Sequence, residues 1–421
     1  MITAFVAFLF GPKHYPNSRH PSEGWGPAIF SAAAKRDASF RWHDGIWGGL
    51  CFAAILFSSS PASADILIGT AGPFSGTNAA LGEQLRRGVQ LAVDDINATG
   101  GLRGERLSVQ FADDGCDPRK AVEVAAGFVS AGVKAVIGHY CSGASIPASK
   151  VYEKAGIVEI SPASTHPKFT DEGGWNVLRL APRDDAQASA AAQLVLTKFP
   201  GRKLAILNDQ SPSAKALSGR FRDTLAAKGL NPVFDESYKP GARNYGDLAG
   251  RLRAAAPDVV YLAGSYVEAG LIVRELRDLG SNAQIISGDQ LVTEDFWNVA
   301  KEAGEGTLMT FTYDPRKFET ARPVLEKFRQ ADYNAEGFTL YAYAAVQAWV
   351  AAVEVTASTD SNRIAEWLRA GNRINTVTGE VIFDTKGDLA NPRIAWFKWT
   401  GGRYIEIDPA TLEPPVLDTT P

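Results

Sequence analysis

Two short stretches gather small and hydroxyl-bearing residues where apolar runs end: GHYCSGASIPAS at 138–149 and ISPASTHP at 160–167. In the first, the backbone N–H groups at a helix start, with the Ser142 hydroxyl, make a natural carboxylate site, because helix N-termini carry unpaired donors and partial positive charge. In the second, the Thr165 hydroxyl and the Ala163 carbonyl can serve another polar group. Ligands of open α/β sheets bind beyond the carboxyl ends of the strands, where both stretches fall. An ordinary capped strand-to-helix turn is the alternative for either stretch alone. The dinucleotide G-x-G-x-x-G, the phosphate loop ending G-K-S/T, G-x-S-x-G and H-E-x-x-H are all missing from the sequence. Five histidines in the whole chain leave little for metal or acid–base work. The residue types therefore point to binding rather than catalysis, with no cofactor and no metal expected.

The elements around these stretches alternate. From Asp65 onward, short apolar runs are followed by amphipathic ones, the pattern of strands feeding helices in a parallel sheet. Strands are expected at 66–70, 107–112, 135–137 and 158–160, with helices at 85–96, 119–131 and 145–155 between and beside them. The alternation restarts after Pro182: helices at 184–198, 214–227, 245–255 and 268–279, and strands at 204–207, near Val233, at 259–262 and at 285–287. Beyond 309–312, helices at 323–332, 338–357 and 361–370 must cover existing sheets, and 381–383 and 394–399 read as late strands. Two such blocks in 421 residues, 45% of them hydrophobic, imply an α/β protein of two Rossmann-like lobes with parallel central sheets. A formal net charge of −4 with both signs scattered provides no basic stripe, so nucleic acid is not an expected partner.

The apolar run 46–57 is too short to span a bilayer. Preceded by Lys35, Arg36 and Arg41 and ended by Ala62-Ser63-Ala64, it reads as a secretory signal occupying 45–64 and cleaved after Ala64, which places the mature protein in the periplasm without a membrane span. Residues 1–44 read as a non-globular extension or as the product of a misassigned start. The mature chain then keeps two cysteines, Cys116 and Cys141. In an oxidising compartment they are a disulfide candidate worth roughly 3 to 4 kcal/mol, two buried free thiols being the alternative.

Over residues 66 to about 405 the chain resembles the periplasmic leucine/isoleucine/valine-binding proteins of ABC importers, which have a type I periplasmic binding fold. The resemblance rests on a collinear series: GPFSG at 72–76, DDINATGG at 94–101, DDGCDPRKAV at 113–122, GHYCSGASIPAS, ISPASTHP and DTKGDL at 384–389. It implies a three-stranded hinge crossing near Ala181, Asp314 and Asn391. One lobe would comprise 65–181 plus 314–391 and the other 182–313 plus 392–408, followed by a flexible tail at 409–421. It further implies that Cys116 and Cys141 are bonded and that Ser142 and Thr165 hold a ligand's α-carboxylate. Its α-amine would fall to the Ala163 carbonyl and to Asp289 in SGDQ at 287–290, where the family usually carries Glu. Tyr140, Cys141 and Ser164 belong to the same ligand set.

The side-chain pocket departs from the pattern. Leu81, Ser213 and Ser265 stand where the family places rings, Phe338 and Tyr140 keep apolar bulk, and Tyr266 can replace a lost ring. The expected ligand is thus an amino acid, branched-chain or larger, aromatic or polar, delivered by a monomer to ABC permease subunits. A ligand-sensing regulator, or a binder of amides, urea or aromatic acids on the same fold, is the alternative.

Overall fold

The computed structural model describes residues 65–415. The signal segment, its cleavage point, the preceding extension and the last six residues lie outside them.

Five strands form the first sheet: β1 (Ile66–Gly72), β2 (Leu107–Asp113), β3 (Ala135–Ile137), β4 (Val158–Ser161) and β5 (Val177–Arg179), in the order β2-β1-β3-β4-β5 and parallel throughout. The second sheet takes β6 (Leu204–Asn208), β7 (Phe234–Ser237), β8 (Val259–Ala263), β9 (Gln284–Ser287) and β10 (Leu308–Thr312). After a small hairpin of β11 (Ile374–Thr376) and β12 (Gly379–Val381), it is completed by β13 (Ile394–Thr400) and β14 (Arg403–Ile407). Its order is β14-β13-β10-β9-β8-β6-β7, with β13 and β14 antiparallel at one edge. Every residue of β3, β4, β6, β8 and β10 is buried, as strands covered by helices on both faces require. The fold is α/β with two lobes, each built on one sheet.

Local signals explain the helix ends. The helix Pro118–Ala131 begins with the Asp117 carboxylate accepting from the N–H groups of Arg119 and Lys120 at 2.8 and 2.9 Å, and stops at Gly132 in the left-handed region. The long apolar helix Thr339–Thr356 returns to the first lobe and packs along the helix Ala79–Ala98. Their backbones meet at Gly88, where a Cβ would lie 2.2 Å from the Thr339 carbonyl oxygen. Among the described residues no single helix is long and apolar enough to cross a membrane.

The structure differs from the sequence expectations in short elements. β5 and β14 were not anticipated; β5 has only three residues, too few for periodicity to register. The strand expected at 381–383 is instead the second half of the 374–381 hairpin, with Phe383 in a lone bridge to Leu389. Residues 408–413 fold into a turn closed by the Asp408 N–H on the Glu413 carbonyl, and Lys398 donates to the Leu412 carbonyl.

Candidate functional site

The carboxyl edge of the first sheet is fixed from beneath by a buried polar network. After β3, the His139 ring lies 2.7 Å from Asp114 Oδ2 through Nδ1 and 2.8 Å from the Tyr152 hydroxyl through Nε2. The other Asp114 oxygen accepts from the Cys116 N–H, and Cys116 is disulfide-bonded to Cys141 across a Cα–Cα distance of 5.4 Å. The hydroxyls of Ser145 and Ser161 donate to the His139 carbonyl, and Ser164 Oγ donates to the Tyr140 carbonyl. These bonds knit the two strand-end loops together. Ser164, expected among the ligand contacts, has its hydroxyl engaged inside the lobe, and Cys141 contributes through its covalent bond.

On this base, Ser142 Oγ accepts from the backbone N–H groups of Thr165 and His166, each at 3.1 Å, so its own proton is free to point into the crevice. No side chain caps the helix Ser142–Ala155. Ala163 is buried, and among the described residues no donor reaches its carbonyl. Behind the loop, the buried Arg179 guanidinium donates to the carbonyls of Ser164, His166 and Pro167, contacts the Thr170 hydroxyl and pairs with Asp388 at 2.6 Å. The DTKGDL segment thereby holds the loop that carries Thr165.

The second lobe faces these groups directly. Thr165 Oγ1 is 3.2 Å from Ser213 Oγ, which donates to Asp184 Oδ1 at 3.0 Å. Asp289, 1% exposed at the end of β9, accepts from Gln187 Nε2 through Oδ2 at 2.8 Å. Thr310 donates to Gln187 Oε1, which fixes the orientation of that amide. Each of these two acids keeps one buried oxygen without a partner among the described residues, Asp289 Oδ1 and Asp184 Oδ2. Burial pushes Asp289 up to about 6, with the Gln187 bond opposing, so it is largely ionised at neutral pH. Burial, and then the Asp289 charge, raise Asp184 well above the carboxylate range. Both acids are therefore buried beside one another with an oxygen each left for a partner from the crevice.

Tyr140 and Phe338 meet edge to face with centroids 5.6 Å apart, and with Ala163, Leu81 and Tyr266 they belong to one apolar cluster. The Tyr140 phenol is raised by burial and then by the Asp289 charge. Ser265 Oγ donates to Asn78 Oδ1 and the Tyr266 hydroxyl to the Thr77 carbonyl, while Gln84 Nε2 reaches the Val292 carbonyl. These bonds join the two lobes along the crevice. Sequence reasoning missed Asp184, Gln187 and Gln84. The first two lie one helical turn apart in PRDDAQ at 182–187, a spacing that puts them on one face.

Two hydroxyl-lined strand ends facing two buried carboxylates between two α/β lobes define a protein that encloses a small solute. Residues 65–403 match the family model described as periplasmic binding protein, and the chain belongs to that family. It is 37% identical to the Leu/Ile/Val-binding protein homolog 1 of Brucella suis over 85% of this chain and 96% of that one. Among solved structures, it is similar to the leucine-binding protein LivK of Thermotoga maritima, with TM-score 0.76, 23% identity, and coverage of 82% of this chain and 98% of that one. It is also similar to the branched-chain amino acid transporter substrate-binding protein LivJ of Streptococcus pneumoniae in complex with isoleucine, with TM-score 0.75, 26% identity, and coverage of 82% and 100%.

Proposed function

We propose that this chain is the extracytoplasmic solute-binding protein of an ABC importer and that it holds an amino acid between its lobes. The ligand's α-carboxylate lies on the Ser142 and Thr165 hydroxyls and the N–H groups opening the helix Ser142–Ala155. Its ammonium lies on the Ala163 carbonyl, Asp289 and Asp184. The observation that carries this reading is the pair of unpartnered carboxylate oxygens, Asp289 Oδ1 and Asp184 Oδ2, in a buried crevice next to hydroxyls suited to an anion. A zwitterion matches both halves, whereas an amide, urea or aromatic acid has no cation for the acidic half.

The lobes close about segments near Ala181, Asp314 and Asn391, and the closed form docks on the permease subunits. Export through the segment ending at Ala64 puts the protein in the periplasm, and the Cys116–Cys141 bond supports this reading because disulfides persist in oxidising compartments. The names of the relatives support an amino acid ligand. A thermal-shift screen against the amino acids and small aromatic acids tests the proposal, since a ligand that binds only the native state raises its melting point. Amino acids raise it; stabilisation by aromatic acids alone refutes the reading.

A further inference from the structure

Beside the zwitterion site, at the mouth of the crevice, lies a cavity of ≈ 440 Å³ bordered by Thr77 and Asn78 of the first lobe and by Asp209, Lys239, Ser265 and Glu268 of the second. Glu268 is 2% exposed. Its Oε1 accepts from the Gly241 N–H at 2.9 Å, while Oε2 has no partner among the described residues. The Tyr238 hydroxyl is also buried and without a partner among the described residues, and burial and then the charges of Asp209 and Glu268 raise its phenol. Asp209 accepts from the N–H groups of Ser211 and Ser265, which hold its carboxylate in place. Lys239 is exposed on the same rim and makes no ion pair among the described residues. Two carboxylates against one ammonium leave the cavity one positive charge short of balance.

The cavity is in line with the amine site. Asp289 follows β9, Ser265 follows β8 and Asp209 follows β6, three neighbouring strands of one sheet. Two strand spacings come to about 10 Å. A branched aliphatic side chain on an amine held at Asp289 stays over β9 and β8. A longer, unbranched one extends in the direction of the Glu268 carboxylate. Ser265, where the sequence resemblance puts a ring, is the smaller residue on that path, and its hydroxyl bond to Asn78 would have to yield to a ligand chain passing there.

We propose that this cavity is a second ligand subsite that takes the distal cationic group of a basic amino acid, with Glu268 Oε2 as its acceptor. The inference rests on the reading that an α-amine binds at Asp289. The test is calorimetric titration of the full chain, freed of carried-over ligand, with L-lysine and with L-norleucine, which has the same carbon chain without the terminal ammonium. Lysine is expected to bind at least about ten-fold more tightly, equivalent to about 1.4 kcal/mol. Glu268→Gln should bring that ratio to within about two-fold, norleucine binding serving as the measure that the variant is folded, and Lys239→Ala should widen it. Equal affinities in the unaltered protein, or a ratio unmoved by Glu268→Gln, overturn the subsite while leaving the amino acid reading intact. If no amino acid binds, both fall.

Discussion

Gln187 Nε2 donates to Asp289 Oδ2 at 2.8 Å, and the other oxygen of the same buried carboxylate has no partner among the described residues. One half of Asp289 is thus fixed by its own lobe and the other is left for the crevice. A buried anionic oxygen without a partner is costly unless something neutralises it, and an ammonium group does so with the strongest class of hydrogen bond.

Replacing Asp289 with Asn keeps the shape and removes the charge. Affinity for amino acids is expected to fall by about 1 to 3 kcal/mol, the cost of leaving buried polar groups mispaired, when followed by calorimetry at neutral pH. An unchanged dissociation constant would move the amine elsewhere.

The same carboxylate sets a pH dependence. Its value of about 6 in the folded protein lies above the ordinary aspartate value of 3.8, so the native state binds more protons between these limits and its stability falls as pH rises through them. Binding of an ammonium needs the ionised form, so affinity should instead weaken as pH drops below about 6. The groups around Asp289 are Gln187, which stays neutral, Asp184, raised by burial, and the Tyr140 and Tyr261 phenols, both raised by burial and neutral over this range. Dissociation constants measured from pH 5 to 8 should show this weakening in the unaltered protein and a flatter curve in Asp289→Asn.

Ser142→Ala removes the shared acceptor of the Thr165 and His166 N–H groups as well as a hydroxyl donor to the carboxylate. The expected loss is again about 1 to 3 kcal/mol of affinity. The loss should be similar for an amino acid and its des-amino analogue, because it falls on the carboxylate end; a loss confined to the amino acid would contradict the assignment.

Asp388→Ala leaves the fully buried Arg179 guanidinium without its carboxylate at 2.6 Å. Breaking a buried pair from one side costs about 3 to 5 kcal/mol, which urea unfolding should register. Because Arg179 also holds the Ser164, His166 and Pro167 carbonyls, ligand affinity should fall as well, although neither residue reaches the crevice.

The disulfide joins residues 25 apart in sequence. Its reduction should cost roughly 3 kcal/mol in the chain-entropy model and lower the melting point. Melting curves with and without reductant that superimpose would show that the bond contributes nothing to stability.

Much of this arrangement is legible in the sequence because parallel strands write themselves as continuous apolar runs, and their carboxyl ends as Ser, Thr and Gly. That is how 138–149 and 160–167 declare themselves without a structure. Asp289 does not: SGDQ is an ordinary loop by itself, and only likeness to a family singles it out. Asp184 was invisible because an acid in the first turn of a helix is the usual complement to the helix dipole. Its burial against Ser213 depends on how two helices pack, which periodicity does not record. For the same reason Ser164 reads like Ser142 in sequence, yet one hydroxyl turns inward to the Tyr140 carbonyl while the other supports the Thr165 loop.

The account turns on a cation being held at Asp289. Calorimetric titration at neutral pH with L-leucine and with 4-methylpentanoate, identical but for the amine, tests this most directly. Leucine should bind at least about a hundred-fold more tightly, close to 2.7 kcal/mol, and equal binding of the two would contradict the assignment of the acidic half of the crevice.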